Sequence, residues 1–434
     1  MITGDRQTVF AVASGSGRAA VTLLRISGAL SGPVLDRLCR TRPPPRRASM
    51  RTLRDCYGST LDAALVLWLP GPGSYTGEDS AELHLHGGRA VLSDVAAALV
   101  ELGLRPAEPG EFTRRAFMNG RLDLVEAEAI ADLIDAETSA QRRQAIRQLE
   151  GALGSVLNKW ANRLKTLLAQ QEALIDFPDE DLPDAVEREL LSELEQLDRA
   201  IALQLNDHRR GERLREGLVF AVVGAPNAGK SSLINSLAQR EVAIVSPYPG
   251  TTRDVLEARI ELGGVPVTLL DTAGLRETAD PIEAEGVRRA RQRAAAADLV
   301  IVVSSAAEPY GEVVPETPPS ICVTSKIDLY GRTLDGTLGI CPLTGEGLAD
   351  LTAALARHAR DLTLTEGPPP LTRARHRAAL MDAAARIQAA QFAPAPELRA
   401  EDMRLALRAI GRVTGHVGVE DILESIFHQF CIGK

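Results

Sequence analysis

Residues 218–232 read LVFAVVGAPNAGKSS, in which a short Val-rich run is followed by a glycine-rich turn and the start of a helix. The letters from Gly224 to Ser231 match the pattern GxxxxGK[ST], and the Val-rich run is typical of a strand buried on both faces. Glycines in such a turn let backbone N–H groups surround phosphate oxygens, and the helix that follows directs its N-terminus at the anion. The segment therefore predicts a phosphate-binding loop in a parallel sheet covered by helices.

Two side chains of this loop have specific chemistry. Lys230 is placed to reach β and γ phosphates, and the hydroxyl of Ser231 is placed to bind Mg²⁺. Further along, PGTTRD supplies Thr252 as a second candidate ligand for Mg²⁺.

Two later motifs complete the pattern. VTLLDTAG ends a strand at Asp271 and places Gly274 where it can sense a γ-phosphate, and VTSKID supplies Asp328, which can accept both N–H donors of a guanine edge. The four motifs in this order predict a GTPase with phosphate-sensing loops.

Three positions depart from the usual GTPase pattern. The guanine-recognition motif begins with Ser325 where Asn is usual, so we expect one brace for the base to be weaker. The 341–347 loop, CPLTGEG, is atypical where a Ser-Ala-Lys loop is usual. Leu275 stands where some GTPases have a water-orienting Gln, so another group must position the attacking water.

Three changes in the residue pattern divide the chain into four segments. Residues 1–118 carry short β-type runs between Gly- and Pro-rich turns, typical of an α+β domain. Residues 119–216 have helical spacing, residues 217–367 alternate strands with helices, and residues 368–434 are helical again. We predict a multidomain α+β and α/β protein with a Ras-like P-loop GTPase domain inserted into a helical domain.

Composition limits the function further. The net formal charge of −9 over 434 residues argues against a protein that wraps nucleic acid with its whole surface. The five cysteines are widely spaced and form no CxxC pair, which fits a reducing compartment. The N-terminal apolar run is too short for a signal peptide, and no stretch approaches the ~20 apolar residues of a membrane span. We expect a cytoplasmic protein with no membrane association.

Several long stretches resemble one family closely. VVGAPNAGKSSLINSLAQREVAIVSPYPGTTRDVLE and DTAGLRET are similar to the TrmE subfamily of GTPases, also called MnmE, the tRNA modification GTPases. LLRISG, YTGEDSAELHLHGG, PGEFTRRAFMNGRLDLVEAEAIADLIDA and the terminal CIGK extend the resemblance over nearly the whole chain. The resemblance implies that the N-terminal α+β domain binds folate and forms a dimer.

The family resemblance also implies a function. Such proteins act as homodimers, with a separate FAD-containing partner of the MnmG or GidA type in a heterotetramer. Together they install an aminomethyl-type group on carbon 5 of the wobble uridine of certain tRNAs, with 5-formyl-tetrahydrofolate or a related folate supplying the one-carbon unit. GTP hydrolysis, with Mg²⁺ and promoted by K⁺, drives rearrangement of the GTPase domains.

One alternative fits the GTPase motifs equally well. A ribosome-assembly GTPase would use the same phosphate loops as a switch without chemistry on RNA. Such a protein is expected to carry a dedicated RNA-binding module after the GTPase domain. The segment after residue 370 is helical and not strongly basic, which favours tRNA modification.

The resemblance assigns residues to the GTP, metal and catalytic sites. GTP contacts would come from Asn227, Ala228, Gly229, Lys230, Ser231, Ser232, Ser246, Thr251, Thr252, Asp271, Thr272, Ala273, Gly274, Ser325, Lys326 and Asp328. Ser231 and Thr252 would bind Mg²⁺, and K⁺ would be held by Asn227, Ser246, Tyr248 and Thr251. Lys230 and Glu283 would be catalytic, with Glu283 orienting the water. A solvated carboxylate at a helix start is the alternative for Glu283.

A folate site is implied at the N-terminal domain. It would use Arg25, Glu82, Arg121 and Lys434. A carboxylate suits the donor edge of a pterin ring, and Arg or Lys suits the anionic glutamyl tail. On the residues alone, Arg25 and Arg121 are equally compatible with ordinary surface charges.

The C-terminal CIGK raises a separate question about Cys431. Prenylation is disfavoured because Gly433 is not aliphatic and Lys434 is not a usual final residue. A packed, inert thiol and a reactive thiol in the tRNA chemistry both stay open.

Two further patterns are ambiguous. His84 and His86 share one face of a strand and could bind a metal, but no third ligand is evident. The segments 42–54, 209–217 and 372–380 are basic and fit either contacts with tRNA phosphates or solvated faces.

Overall fold

The computed structural model describes residues 7–15, 17–176, 184–225, 227–241, 257–271, 296–307, 318–363, 367–417, 423, 426–428, 430 and 433. The chain divides into two compact units. The first comprises Met1–Ala131, Gly154–Lys165 and Leu407–Lys434, and the second comprises Asp132–Leu153 and Thr166–Ala406. The finer division at residues 118, 216 and 367 stays a prediction.

The first unit contains a six-stranded sheet in the order β3-β4-β5-β2-β1-β6. Its strands are β1 (Val9–Val12), β2 (Val21–Ser27), β3 (Ser49–Arg54), β4 (Thr60–Leu69), β5 (Ser80–His86) and β6 (Arg105–Pro106). Neighbouring strands are antiparallel except β1 and β6, which run parallel.

Helices α1 (Ser31–Cys39) and α2 (Arg89–Glu101) cover one face of this sheet. Helix α3 (Glu111–Met118) packs Phe112 against Val9 and Ala11 of β1 on the other face. Alternate residues of the strands, such as Leu24 and Ile26, join a core with residues of α1 and α2, including Leu35 and Leu99. Because strand side chains alternate between faces, Arg25 lies on the face opposite this core.

Long helices form much of the rest of the chain, as the helical spacing predicted. They are α4 (Leu124–Ile134), α5 (Ser139–Leu149), α6 (Ala152–Asp176), α7 (Asp184–Leu205) and α8 (Arg210–Glu216). Thr138 caps the N-terminus of α5 in a capping box. Its side chain accepts a hydrogen bond from the backbone N–H of Gln141, and the side chain of Gln141 accepts one from the backbone N–H of Thr138. Among the described residues, no helix has both the length and the apolar character needed to span a membrane.

The second unit contains a second six-stranded sheet in the order β12-β11-β10-β7-β9-β8. Its strands are β7 (Leu218–Val223), β8 (Glu257–Leu262), β9 (Val265–Asp271), β10 (Leu299–Ser305), β11 (Ser320–Ser325) and β12 (Leu338–Gly339). The pairs are parallel except β8 with β9. The remaining helices are α9 (Lys230–Arg240), α10 (Ile327–Tyr330), α11 (Leu348–Thr363), α12 (Ala374–Gln391) and α13 (Pro396–Thr414).

The parallel strands set the position of the nucleotide motifs. β7 lies between β9 and β10, and β11 follows β10. The carboxyl ends of parallel strands meet at one edge of a sheet, where α/β proteins bind their ligands. Gly224, Asp271 and Ser325, which end β7, β9 and β11 or directly follow them, therefore share that edge.

Candidate functional site

The loop after β7 has backbone conformations that favour glycine. Gly224 has φ +154°, and a Cβ at this position would lie 2.2 Å from the carbonyl oxygen of Val303. Asn227 and Gly229 also have positive φ, at +63° and +96°. α9 begins directly afterwards, with Leu233 N–H donating to the carbonyl of Gly229. The first N–H groups of α9 point to the loop, which forms the anion cradle that the sequence predicted.

Lys230 is buried under this loop, with 5% of its surface exposed. Its Nζ donates to the carbonyl oxygens of Gly224 and Ala225, both at 2.8 Å. These two bonds hold the ammonium against the loop, where a phosphate bound by the loop would meet it.

Ser231 and Asp271 come together from different motifs. The hydroxyl of Ser231 lies 2.5 Å from Oδ2 of Asp271, which ends β9 and is largely buried. A hydroxyl and a carboxylate beside a phosphate loop are the oxygen ligands that hold Mg²⁺ in P-loop NTPases. This chemistry fits a magnesium ion.

Ser325 connects the base-recognition segment to the phosphate loop. Its side chain is fully buried, and its hydroxyl donates to the carbonyl oxygen of Ala228 at 2.5 Å. The carbonyl of Ser304 lies at 3.2 Å from the same hydroxyl. The residue that departs from the usual Asn therefore still braces the loop, through one hydroxyl in place of an amide.

Asp328 lies on the short helix α10, three residues after Ser325. Lys326 precedes that helix with φ +59°, and Asp328 is exposed. Its carboxylate is thus accessible to a ligand at this edge of the sheet. The atypical loop 341–347 packs nearby, since the hydroxyl of Ser236 on α9 donates to the carbonyl of Pro342 at 3.0 Å.

Several residues proposed from the sequence lie outside the described residues. They are Ser246, Tyr248, Thr251, Thr252, Thr272, Ala273, Gly274, Leu275, Glu283, Cys431 and Lys434. The roles of these residues stay predictions.

Arg25 and Glu82 form a contact on the face of the first sheet that lies opposite α1 and α2. They occupy directly opposite positions on β2 and β5, and Nη2 of Arg25 lies 3.0 Å from Oε1 of Glu82. The guanidinium carbon lies 5.4 Å from the ring centre of Tyr75 and 5.9 Å from that of Phe112. Two predicted folate residues therefore meet, beside two aromatic rings that orient the cation.

Arg121 is placed at the loop that carries Tyr75. It is exposed, and its Cγ would lie 3.2 Å from a Cβ at Gly77. Asn119 fixes this loop by donating to the carbonyl of Thr76 at 2.7 Å. Among the described residues, no hydrogen bond or ion pair joins the guanidinium of Arg121 to Arg25 or Glu82.

The C-terminal segment packs against the first sheet. Gly433 has φ +98°, and a Cβ there would lie 2.1 Å from the carbonyl oxygen of Val12 on β1. Phe427 approaches Gly110 and stacks at 5.6 Å from Phe430. On β1, Ala11 pairs with Arg25 and is the neighbour of Val12. The tail thus passes close to the strand that faces Arg25.

Comparison with known proteins gives full-length matches. A family model described as the MnmE helical domain matches residues 124–431, and one described as the GTP-binding protein TrmE N-terminus matches residues 8–121. The chain is 58% identical to "tRNA modification GTPase MnmE" of Gluconacetobacter diazotrophicus, over 99% of each chain. It is 55% identical to the protein of that name from Granulibacter bethesdensis, over 99% of this chain and 100% of the relative. For Rhodospirillum rubrum the identity is 53%, over 98% and 99%.

The chain belongs to the MnmE family of tRNA modification GTPases. Membership confirms the predicted fold class, with a TrmE-type N-terminal domain, a helical domain and a P-loop GTPase domain. It does not favour the ribosome-assembly alternative, because both flanking domains match models of the MnmE family.

His84 and His86 of this MnmE-family chain each lie beside a carboxylate. Nδ1 of His86 lies 2.7 Å from Oδ1 of Asp62, and the backbone N–H of His86 donates to Oδ2 of the same side chain. Burial raises the pKa of Asp62, but these bonds outweigh it and leave the pKa lowered. Nε2 of His84 lies 3.9 Å from Glu82. The described residues contain no cluster of three or more side chains able to hold a metal ion.

Sequence reasoning missed Tyr75 and Phe112, and also the buried carboxylate of Glu111, which precedes Phe112 at the start of α3. Glu111 is 1% exposed and accepts hydrogen bonds from Arg105 and Arg115. In the sequence, Glu111 belongs to PGEFTRR, within one of the stretches that carry the family resemblance. A buried Glu between arginines could have been suspected from that charge pattern, but its depth could not.

Proposed function

We propose that this chain hydrolyses GTP as the GTPase component of a tRNA-modifying complex. The complex installs an aminomethyl-type group on carbon 5 of wobble uridine, with a one-carbon unit from 5-formyl-tetrahydrofolate or a related folate. The observation that carries the proposal is the contact between Ser231 and Asp271 at 2.5 Å beside the phosphate loop, in a chain of the MnmE family.

Phosphoryl transfer is carried out by positioning and charge neutralisation. The N–H groups of the loop around Asn227–Lys230 cradle the phosphates, and the ammonium of Lys230 neutralises the β and γ phosphates. Ser231 and Thr252 would hold Mg²⁺, with Asp271 fixing the hydroxyl of Ser231. Mg²⁺ held there would supply positive charge that neutralises charge developing on the phosphates.

The attacking water requires a further group, because Leu275 cannot orient it. Glu283 would accept a hydrogen bond from that water. K⁺, held by Asn227, Ser246, Tyr248 and Thr251, would supply a positive charge near the phosphates where an arginine finger acts in other GTPases. The exposure of Asn227 supports this role, because an exposed side chain is accessible to an ion.

Guanine selectivity would rest mainly on Asp328. Its exposed carboxylate can accept both N–H donors of the guanine edge, whereas adenine presents an acceptor there. Ser325 and Lys326 position that carboxylate at the strand end.

The folate would bind at the contact between Arg25 and Glu82. Glu82 offers a carboxylate to the pterin donors, and Arg25, Arg121 and Lys434 offer positive charge to the anionic tail. Tyr75, which is partly exposed beside Arg25, supports this assignment because its ring provides flat apolar surface for a planar ligand. The packing of Gly433 against β1 supports the assignment of Lys434, the next residue, because β1 pairs with the strand that carries Arg25.

The proposed assembly is a homodimer that binds an FAD-containing MnmG- or GidA-type partner in a heterotetramer. Its substrate is tRNA, and it acts in the cytoplasm. The excess of arginine over acidic residues in residues 36–55 of the first unit supports contact with a polyanion.

GTP turnover by Glu283→Ala and Glu285→Ala tests the catalytic assignment, measured in potassium and in sodium buffer. We expect Glu283→Ala to bind GTP normally and to lose at least about a hundredfold in kcat, while the neighbouring carboxylate change leaves potassium-stimulated turnover intact. Equal turnover by both variants would reject Glu283. Guanine selectivity is tested separately, by competition against labelled GTP. If unlabelled ATP displaced labelled GTP as effectively as unlabelled GTP does, guanine selectivity would be rejected.

A further inference from the structure

Three basic segments stand out in the sequence, and the structure separates them. In 209–217 and 372–380 the arginines are largely neutralised by carboxylates. The ion pairs are Arg209 with Glu212, Arg213 with Asp298, Arg215 with Asp132, Arg373 with Asp132, and Arg377 with both Asp207 and Glu212. Because these guanidinium charges are neutralised by carboxylates within the fold, the two segments offer little net positive charge to a polyanion.

The third segment differs. We call its seven arginines the arginine edge: Arg37, Arg40, Arg42, Arg46, Arg47, Arg51 and Arg54. Residues 36–55 contain these seven arginines and only two aspartates, a local excess of five positive charges in a chain of net charge −9. Such an excess against the overall charge marks a local electrostatic site.

The aspartates neutralise little of this charge. Asp36 pairs with Arg42 at 2.6 Å. Asp55 is used by the backbone, since its Oδ1 accepts from the N–H groups of Tyr57 and Ser59. One arginine of the seven is therefore paired with a carboxylate in the part of the chain that the structure describes.

The other six arginines keep their charge. Arg46, Arg51 and Arg54 donate to uncharged oxygens, those of Pro70, Met50, and Gly58 with Thr60. Arg37, Arg40 and Arg47 are exposed, and their guanidinium groups make no hydrogen bond or ion pair with any described residue. Six guanidinium groups thus remain able to bind phosphate oxygens.

The backbone beneath these side chains is held in place. Arg42 stacks over Trp68 at 4.9 Å, the N–H of Arg46 donates to the carbonyl of Trp68 at 2.8 Å, and Pro45 forms a bridge with the same residue. Three consecutive prolines further stiffen the connection. A fixed array of cations loses less conformational entropy on binding than a flexible one.

Protection of an edge strand is the simpler explanation for part of the pattern. β3 lies at the edge of its sheet, and charged side chains there discourage pairing with another chain. That explanation covers Arg51 and Arg54. It does not cover Arg37 and Arg40 at the end of α1, or Arg46 and Arg47 in the connection, which lie outside the strand.

We propose that the arginine edge binds the phosphate backbone of RNA, and hence of the substrate tRNA. The proposal rests on the proposed function and assigns a docking surface to it. Guanidinium groups match phosphate oxygens through two parallel hydrogen bonds. Tyr57, in the turn after β3, is 86% exposed and offers a flat ring for stacking on an unpaired base, a feature suited to RNA more than to an acidic protein.

Binding of fluorescein-labelled tRNA transcript to the full-length chain tests the proposal, by anisotropy over a range of salt concentrations. R46E/R47E is expected to weaken binding at least about tenfold and to reduce the slope of log K against log salt by about two. R46K/R47K should retain most of the affinity, because the charges remain. GTP turnover should be unchanged in both, and urea unfolding followed by the fluorescence of Trp68 and Trp160 should show that the first unit is folded.

The matched control is R142E/R143E. It reverses two adjacent exposed arginines on α5, in the other unit. Equal weakening by this control and by R46E/R47E would overturn the proposal in favour of a general charge effect. Unchanged affinity and slope in R46E/R47E would also overturn it, while leaving the proposed function intact.

Two further outcomes separate the possibilities. If R46E/R47E keeps tRNA binding but loses binding to labelled poly-glutamate, the surface serves an acidic protein and the RNA proposal fails. If the unaltered chain binds no tRNA at low salt, the proposed function and the docking surface fail together.

Discussion

The hydroxyl of Ser325 donates to the carbonyl oxygen of Ala228 at 2.5 Å, so the guanine-recognition segment is bonded directly to the phosphate loop. Both residues are buried, Ser325 fully and Ala228 with 2% exposed. This bond couples the movement of the phosphate loop to that of the base-recognition segment. It also explains how the site tolerates Ser where Asn is usual.

Ser325→Ala should therefore weaken nucleotide binding. The change leaves a buried carbonyl without its donor, which costs about 1–2 kcal/mol and corresponds to roughly tenfold weaker GDP binding. Ser236→Ala is the control, because it removes a hydroxyl from α9 that bonds carbonyls away from the base-recognition segment. Titration with a fluorescent GDP analogue measures both. Equal affinities for the two variants would show that the bond does not support the site.

Asp271→Asn should separate binding from hydrolysis. The amide keeps the shape of the side chain and can still accept from Ser231, but it loses the charge that favours Mg²⁺. We expect kcat for GTP to fall about a hundredfold or more, with a higher Mg²⁺ concentration needed for half-maximal activity. Asp350→Asn, an exposed acid in the first turn of α11, is the control. An unchanged Mg²⁺ dependence in Asp271→Asn would remove Asp271 from the metal site.

Glu111 should make the first unit sensitive to acid. Burial raises its pKa, but the hydrogen bonds from Arg105, the N–H of Glu108 and Arg115 outweigh burial and lower the pKa from 4.5 to about 2. Because the folded pKa is below the unfolded one, the stabilisation is complete above about pH 5 and is lost as the pH falls towards about 2. A shift of this size corresponds to about 3 kcal/mol.

Urea unfolding of Glu111→Gln tests this linkage. Both tryptophans of the chain, Trp68 and Trp160, belong to the first unit, so their fluorescence reports its unfolding. The variant should lose about 3 kcal/mol at pH 7 and show a flatter dependence on pH between about 5 and 3. Glu108→Gln, which removes an exposed ion pair with Arg114, should change little. Parallel pH profiles for the variant and the unaltered chain would contradict the assignment.

Gly433→Ala should release the C-terminal tail from β1. The Cβ would clash with the carbonyl of Val12 at 2.1 Å, and the φ of +98° is itself unfavourable for alanine. We expect faster removal of the last residues by carboxypeptidase and weaker binding of 5-formyl-tetrahydrofolate. Gly58→Ala has a similar φ of +87° but open space around it. If the tail in Gly433→Ala were as protected as in Gly58→Ala, packing of Gly433 would not hold the tail.

The nucleotide site was predictable because its motifs are local. GAPNAGKSS fixes the loop and the start of α9 within one contiguous segment, and strand ends bring Asp271 to it. The bond from Ser325 to Ala228 was not predictable, because it depends on how deeply a side chain 97 residues away is buried.

The contacts around Arg25 and the ion pairs of the basic segments were less predictable for a related reason. Tyr75 and Phe112 reach Arg25 only through the register of the sheet and the packing of α3, which no local pattern specifies. The carboxylate of Asp132 neutralises Arg215 and Arg373 from 83 and 241 residues away. Arginine-rich segments that look alike in the sequence therefore differ in how many of their charges are paired with carboxylates in the fold.

The most direct test of the account is mass analysis of wobble-uridine nucleosides in tRNA from cells that lack this chain. The account predicts loss of the C5 aminomethyl-type modification, restored by the unaltered chain and not by Asp271→Asn, which should fail in hydrolysis. An unchanged nucleoside profile in the cells without the chain would contradict it.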